Sequence, residues 1–318
     1  MVAANSLRVV FFGTPEFAVP TLEALLKSPY EVVAVVTQPD RPRGRGHKTT
    51  PSPVKTAAVA AGRPVLQPNS VKDDAFLYEL SRLTPDLGVV AAYGQILTNA
   101  ALAIPRLGMI NVHASILPAY RGAAPVHRAI INGEAETGVT IMRVVKALDA
   151  GPMLAVERLP IGLEETSEDV ERDLAAMGAR LLVSTVPSLA AGTAIERPQD
   201  NAAATYAPRL SKDDGLIDWN WPAERIHNLI RGLHPWPHAV TFLGAYRLIL
   251  HRSRPAPGPV WNKPGAIVEA GGDRLLVATG DGGLDILEIQ LEGKRPLPVR
   301  EFLMGHPVAP GGAFHASP

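Results

Sequence analysis

Asn111 and His113 stand two residues apart in the segment Asn111-Val112-His113-Ala114-Ser115-Ile116-Leu117-Pro118. If the residues from 109 onward form a strand, a period of two puts both side chains on one face at its carboxyl end. There an amide donor and an imidazole can polarise a carbonyl, hold the oxyanion formed when a nucleophile adds to it, and pass a proton to a departing amine. The plain alternative is that Asn111 caps a turn and His113 is a packed histidine with satisfied hydrogen bonds. A carboxylate is offered by Leu148-Asp149-Ala150-Gly151-Pro152, after another strand. In the same crevice, Asp149 could orient the imidazole, take the proton of a nucleophile through water and stabilise an imidazolium. By itself, Asp-Ala-Gly-Pro is an ordinary turn composition.

A third feature is Gln38-Pro39-Asp40-Arg41-Pro42-Arg43-Gly44-Arg45-Gly46-His47-Lys48, where four cations and one histidine fall within the eight residues 41–48. Almost no hydrophobe interrupts them, so this segment cannot make a core and is expected to be an exposed, mobile loop. Such a loop suits a polyanion, because Arg and Lys neutralise phosphates and glycine lets the backbone come close. Otherwise it is a solvated surface turn. Gly13 stands alone where a dinucleotide fingerprint needs three glycines, which argues against NAD and for a tightly packed strand-helix turn.

These residues need a scaffold that brings strand ends together. Residues 7–12 and 32–37 are apolar, β-branched runs, and 65–66, 87–92 and 109–112 continue the series. Helical stretches are expected between them near 54–61, 74–83 and 97–103, with Thr14 as N-cap and Pro15 at N1 of the first helix. Continuous apolar strands alternating with helices predict a parallel sheet covered on both faces, which binds ligands beyond its carboxyl ends. Segments 139–145 and 153–159 add a hairpin-like pair, and a long helix over 167–189 opens with a Thr166/Asp169 capping box. Residues 190–207 lose hydrophobic periodicity and read as a linker. Beyond them, a helix near 222–232 precedes short strands at 239–242, 246–251, 265–269, 274–278 and 284–291, separated by Gly/Asp turns, as in a small β-barrel or sandwich. The organisation expected is therefore an α/β domain over 1–189, a linker over 190–207 and a β-rich domain over 208–318.

Composition narrows the chemistry. The 318 residues are 46% hydrophobic, carry 31 basic and 31 acidic side chains, and contain no cysteine. Disulfides, a thiolate nucleophile, iron-sulfur clusters and cysteine zinc sites are excluded. Nine histidines remain, none in an HExxH pair, so no metal site is expected. The start lacks a basic region ahead of its apolar run and is not expected to be a signal peptide, and 174–191 is interrupted by Arg180, Ser184 and Pro187. No membrane association and a cytoplasmic location are expected.

Taken jointly, five segments carry a resemblance. Phe12-Gly13-Thr14-Pro15, the basic stretch running on to Pro51-Ser52-Pro53-Val54-Lys55, the Asn111-x-His113 segment, Leu148-Asp149-Ala150-Gly151-Pro152, and Lys212-Asp213-Asp214-Gly215-Leu216-Ile217-Asp218-Trp219 with His234-Pro235-Trp236-Pro237 resemble the methionyl-tRNA formyltransferase family. Ile116, where leucine is usual, and His234, where asparagine is usual, are mild departures. The Asn-x-His and Asp set is shared by folate-dependent formyltransferases in general; the basic insertion is what points to the tRNA enzymes.

The resemblance implies a Rossmann-like domain followed by a small OB-like β-barrel domain that binds tRNA. It implies transfer of the formyl group of 10-formyltetrahydrofolate to the α-amino group of methionyl initiator tRNA, without a metal or a covalent enzyme intermediate. Asn111, His113 and Asp149 would be catalytic. Folate would lie along Ala91, Ala92, Tyr93, Gly94 and Gln95 and the turn Ser115, Ile116, Leu117 and Pro118, unless Tyr93 is structural. Arg41, Arg43, Arg45 and Lys48 would hold the tRNA, and the default is a monomer. The alternative of the same chemistry is an amino-sugar nucleotide as formyl acceptor; a non-catalytic RNA-binding protein is the alternative of another class.

Overall fold

The computed structural model describes residues 6–43, 48–259, 261 and 263–317, with 42, 43, 48 and 49 described by their backbone alone. Two compact units divide the chain. The first comprises 1–122, 136–160 and 171–206; the second comprises 123–135, 161–170 and 207–318.

The first unit is built on β1 (Arg8–Gly13), β2 (Glu31–Val36), β3 (Arg41–Arg43), β4 (Lys48–Thr50), β5 (Val65–Leu66), β6 (Leu87–Ala91), β7 (Met109–His113), β8 (Arg121–Gly122), β9 (Glu136–Arg143) and β10 (Met153–Pro160). Seven of these form one sheet in the order β10-β9-β7-β6-β1-β2-β5. Its pairs from β7 to β5 are parallel; β9 runs antiparallel to β7, and β10, antiparallel to β9, returns to the common direction. The continuous apolar runs read in the sequence are the reason: Val9, Val10, Phe11 and Phe12 are fully buried, as a strand covered on both faces must be. Helices α1 (Val19–Leu26), α2 (Pro53–Ala60), α3 (Asp74–Arg82) and α4 (Asn99–Leu102) lie between the strands in sequence.

From β1 the chain moves to β2 and β5 on one side, then returns to β6 and β7 on the other. The direction of winding therefore switches between β1 and β6, where open α/β sheets take their ligands. Thr14 stands at that point but is not the N-cap expected. Pro15 precedes a short 3-10 turn, Glu16–Ala18, and α1 starts only at Val19. The Thr14 hydroxyl instead donates to the Tyr93 carbonyl (2.9 Å) and accepts from the Gln38 N–H (3.3 Å), tying three strand-end loops together. Gly13 does fill the role of tight packing, since a Cβ there would stand 2.7 Å from the Phe11 ring.

The second unit contains α5 (Pro125–Ile131), the start of α6 (Ser167–Ala190), α7 (Ala223–Gly232) and α8 (Val299–Gly305). After β11 (Tyr206–Ala207) come β12 (Ala239–Leu243), β13 (Tyr246–Ala256), β14 (Ile267–Gly271), β15 (Arg274–Ala278), β16 (Gly283–Leu291) and β17 (Leu297–Pro298). They form an antiparallel sheet in the order β12-β13-β16-β15-β14, with β17 on β16. Among the described residues no strand pair closes this path, so the expected barrel is an open sheet. The chain's last residues bridge its edges: Ile267 N donates to Gly312 O beside β14, and His315 and Phe242 exchange backbone hydrogen bonds beside β12. Trp219 stacks on Phe314 at 5.6 Å in the core between them.

The division differs from a single cut at 190–207. Ala124 is buried in the C-terminal core and Ile131 packs on it, which places α5 with the second unit. Residues 197–203 belong with the first: Arg197 and Met153 exchange backbone hydrogen bonds, and Gln199 is buried.

Candidate active site

β6 and β7 end side by side, with Val90 opposite Asn111. Asn111 is half-buried on β7 and His113, its last residue, is only 5% exposed. The geometry of the imidazole is set by two oxygens. His113 Nε2 lies 3.1 Å from the Tyr120 carbonyl, and Nδ1 lies 3.8 Å from Asp149 Oδ2. A carbonyl cannot donate, so in the neutral ring Nε2 carries the proton and Nδ1 presents its lone pair toward Asp149. A second proton would land on Nδ1, facing the carboxylate.

Asp149 sits in the turn between β9 and β10 with φ +45°, a left-handed conformation uncommon for a side chain larger than glycine. Three contacts hold it there. Its Oδ2 accepts the Gly122 N–H at 2.8 Å, its carbonyl accepts Gln199 Nε2 at 2.8 Å, and the same amide reaches Gly151 O at 2.7 Å. Gly151 itself can be nothing else, because a Cβ would stand 1.9 Å from the Arg143 carbonyl. Behind Gln199 lies Arg121, 3% exposed, donating through Nε (3.0 Å) and Nη2 (2.8 Å) to Gln199 Oε1 and through Nη2 to Asn201 Oδ1. With its oxygen engaged by a cation, the Gln199 amide must point its nitrogen at the two carbonyls. Sequence reasoning missed Gln199 and Asn201, because a neutral residue in an aperiodic stretch gives no signal until the turn it braces is seen, and Arg121, because a lone arginine reads as a surface charge until its buried partners are seen.

The two expected folate segments flank this centre. Ala92 (φ +47°) and Gly94 (φ +91°) turn the chain sharply after β6. Tyr93 is 2% exposed and packs edge-on against Phe12 at 5.4 Å, so its ring belongs to the core and burial pushes its hydroxyl up to about 12. Gln95 is likewise spent on structure: Oε1 accepts Val71 N (3.1 Å) and Nε2 donates to Pro68 O (3.4 Å). What 91–95 can offer a ligand is mainly backbone. The second segment is pinned by Thr140, which donates to Ser115 O (2.7 Å) and accepts from Leu117 N (3.2 Å), while Ser115 Oγ donates to Ala119 O (2.6 Å). Ile116 and Pro118 are half-buried and Leu117 is buried.

The basic stretch is not wholly irregular: β3 and β4 pair antiparallel, Arg41 with Thr50 and Arg43 with Lys48. Arg41 is exposed; Arg45 lies outside the described residues. The base of this hairpin is fixed by Asp40, whose carboxylate meets Lys55 Nζ at 2.5 Å and Gln67 Nε2 at 2.8 Å. Those two hydrogen bonds, Lys55 first, hold the Asp40 carboxyl below the usual range.

The formyl transferase family model matches residues 7–186, and the model of the formyl transferase C-terminal domain matches 209–307. The methionyl-tRNA formyltransferase of Moorella thermoacetica is 48% identical, covering 96% of this chain and 98% of that protein; that of Citrifermentans bemidjiense is 50% identical, covering 97% and 96%. The chain belongs to the methionyl-tRNA formyltransferase family. The fold is also that of more distant formyltransferases. A sugar 3N-formyl transferase solved with dTDP and 5-N-formyl-THF superposes with a TM-score of 0.68 at 18% identity, over 92% of this chain and all of the other. The N-formyltransferase of Helicobacter canadensis, solved with folinic acid and dTDP-3-aminofucose, gives 0.67 at 19% over 88% and 98%. Among the described residues of this formyltransferase, no helix is long and apolar enough to cross a membrane.

Proposed function

We propose that this enzyme transfers the formyl group of 10-formyltetrahydrofolate to the α-amino group of methionyl initiator tRNA. The observation that carries the reading is identity of 48–50% over 96–97% of the chain with methionyl-tRNA formyltransferases, together with a buried imidazole facing a braced carboxylate at the carboxyl end of β7. The likeness to sugar formyltransferases is one of fold alone.

In this reading Asn111 and His113 face the oxyanion that develops on the formyl oxygen when the amine adds to the formyl carbon. One such donor is worth about 3 kcal/mol. The His113 Nε2–H now satisfies Tyr120, so engaging the substrate requires that hydrogen bond to be exchanged for one to the formyl oxygen. The ammonium loses a proton before it attacks. As the resulting amine adds, Asp149 takes up the second proton its nitrogen sheds, directly or through water, and relays it to His113 Nδ1. When the adduct collapses and the bond from the formyl carbon to the folate nitrogen breaks, the imidazolium returns one proton to that departing nitrogen. The backbone at 91–95 and 115–118 supports the pterin, with Gly94 allowing close approach. Arg41, Arg43, Arg45 and Lys48 neutralise phosphates at the acceptor end of the tRNA, and the C-terminal domain shares in holding it.

The test is to offer methionyl initiator tRNA and a dTDP-amino sugar separately, each with formyl folate, and identify the product by mass. Formylmethionyl-tRNA supports the reading; a formylated sugar with unmodified methionyl-tRNA would overturn it.

A further inference from the structure

The second unit gathers three histidines that the formyl-transfer reading does not use. His234 and His238 flank the Pro235-Trp236-Pro237 turn, closed by a backbone hydrogen bond from His238 N to Leu233 O at 3.0 Å. The β12–β13 register sets Ala239 opposite Leu250, which places His238 beside His251 at the open end of the hairpin, away from its turn. The ring centroids of His238 and His251 are 4.7 Å apart, and those of His234 and His238 are 5.6 Å apart. Each imidazole offers one nitrogen, and the three nitrogens lie within 4.8 Å of one another.

The contacts around His251 and His234 each leave one ring nitrogen without a hydrogen atom to donate. Gln290 donates its Nε2 to Lys294 O at 2.6 Å, so its Oε1 is what faces His251 Nε2 at 2.7 Å. His251 Nε2 must then be the donor, and Nδ1 keeps its lone pair. At His234, Nε2 lies 3.4 Å from the Glu168 Oε2 carboxylate oxygen, while Nδ1 is buried with no hydrogen-bond partner among the described residues. A histidine whose outer nitrogen donates to a carboxylate or carbonyl, leaving the inner one as acceptor, is the usual setting of a metal ligand. His251 is 9% exposed, whereas His234 keeps 29% of its side chain accessible, which gives an ion a path inward.

We infer that His234, His238 and His251 form a binding site for a divalent transition-metal ion of the zinc type. Three neutral imidazoles suit Zn2+, Co2+, Ni2+ or Cu2+ and not Mg2+ or Ca2+, which prefer oxygen. Nitrogens about 2.0–2.1 Å from a tetrahedral ion are roughly 3.4 Å apart, so the rings close by up to about 1.4 Å through side-chain rotation. The three protein ligands leave at least one position for solvent. Binding clips the Pro-Trp-Pro turn to β13, so its consequence is stability of the second unit.

The experiment uses the full chain without an affinity tag, stripped with EDTA and then titrated with Co2+ followed by Zn2+. The expected result is one equivalent of Co2+ with visible ligand-field absorption, displaced by Zn2+, and a melting temperature that rises with Zn2+. His238→Gln and His251→Gln should each weaken Zn2+ binding by more than the roughly 10- to 100-fold expected when Gln290→Leu removes only the outer support. His315→Gln, at an exposed site elsewhere, should bind as wild type. Failure of wild type to bind Co2+, or equal affinity in the His238 and His251 variants, would overturn the assignment. If either variant does not fold in EDTA, the imidazole NMR signals of the unsubstituted chain decide: all three rings must shift together by one equivalent of Zn2+, and unmoved signals refute the site.

Discussion

His113 Nδ1 lies 3.8 Å from Asp149 Oδ2, too far for a good hydrogen bond. The same oxygen is already held by the Gly122 N–H, so the carboxylate is anchored independently of its action on the histidine. Asp149→Asn should therefore keep the anchor while losing the charge. Single-turnover formyl transfer is expected to fall by about 10² to 10⁴ with the melting temperature little changed. A fall of less than about tenfold would remove Asp149 from proton transfer.

Gln199 braces that turn from behind. Gln199→Ala removes two donors to the carbonyls of Asp149 and Gly151 and the acceptor of the buried Arg121 guanidinium. Leaving such a group unsatisfied costs about 1–3 kcal/mol or more. Denaturant unfolding should show that loss, and kcat should fall while KM for the folate stays near wild type. Wild-type kcat in a destabilised variant would confine Gln199 to stability.

Much of this was legible before the structure. The strands β1, β2, β6 and β7 are continuous apolar runs, and continuous burial on both faces has few other solutions. The Asn111-x-His113 pair stood out because chemically active side chains interrupt such a run at its carboxyl end. The bracing residues were hidden for the converse reason. Residues 197–203 lack periodicity, and the contacts of Gln199 and Asn201 arise only from the long-range fold. The hairpin β3–β4 was hidden by its own composition, since Pro, Gly and Arg carry almost no strand signal. The separation of α5 from its sequence neighbours was invisible because apolar residues such as Ala124 and Ile131 carry no sign of which core they join.

That separation changes what truncation should do. A chain ending at Ala204 keeps the seven-stranded sheet but strips α5 of the core in which Ala124 and Ile131 pack. It should bind a hydrophobic dye such as ANS and aggregate, although it holds every residue around His113. A monomeric, dye-silent fragment would show that 123–135 is stable without residues 207–318.

Stability should also decline in mild acid. Burial holds His127 down at about 4, aided by Arg128, and burial together with His251 and His234 holds His238 at about 4, against 6.5 for an ordinary histidine. The unfolded chain then binds more protons than the folded one between those values, so stability is fully present above pH 6.5 and is lost as pH falls toward 4. Melting curves in EDTA across this window should show the decline, and His127→Gln should flatten it. A flat profile in the unsubstituted chain would contradict these directions.

The most direct test of formyl transfer at His113 is single-turnover kinetics with methionyl initiator tRNA and 10-formyltetrahydrofolate, comparing the unsubstituted chain with His113→Asn. The account predicts formylmethionyl-tRNA from the former and a rate at least about 10² lower from the latter, with tRNA and folate affinities retained. Formylation by His113→Asn within about tenfold of the unsubstituted rate would contradict it.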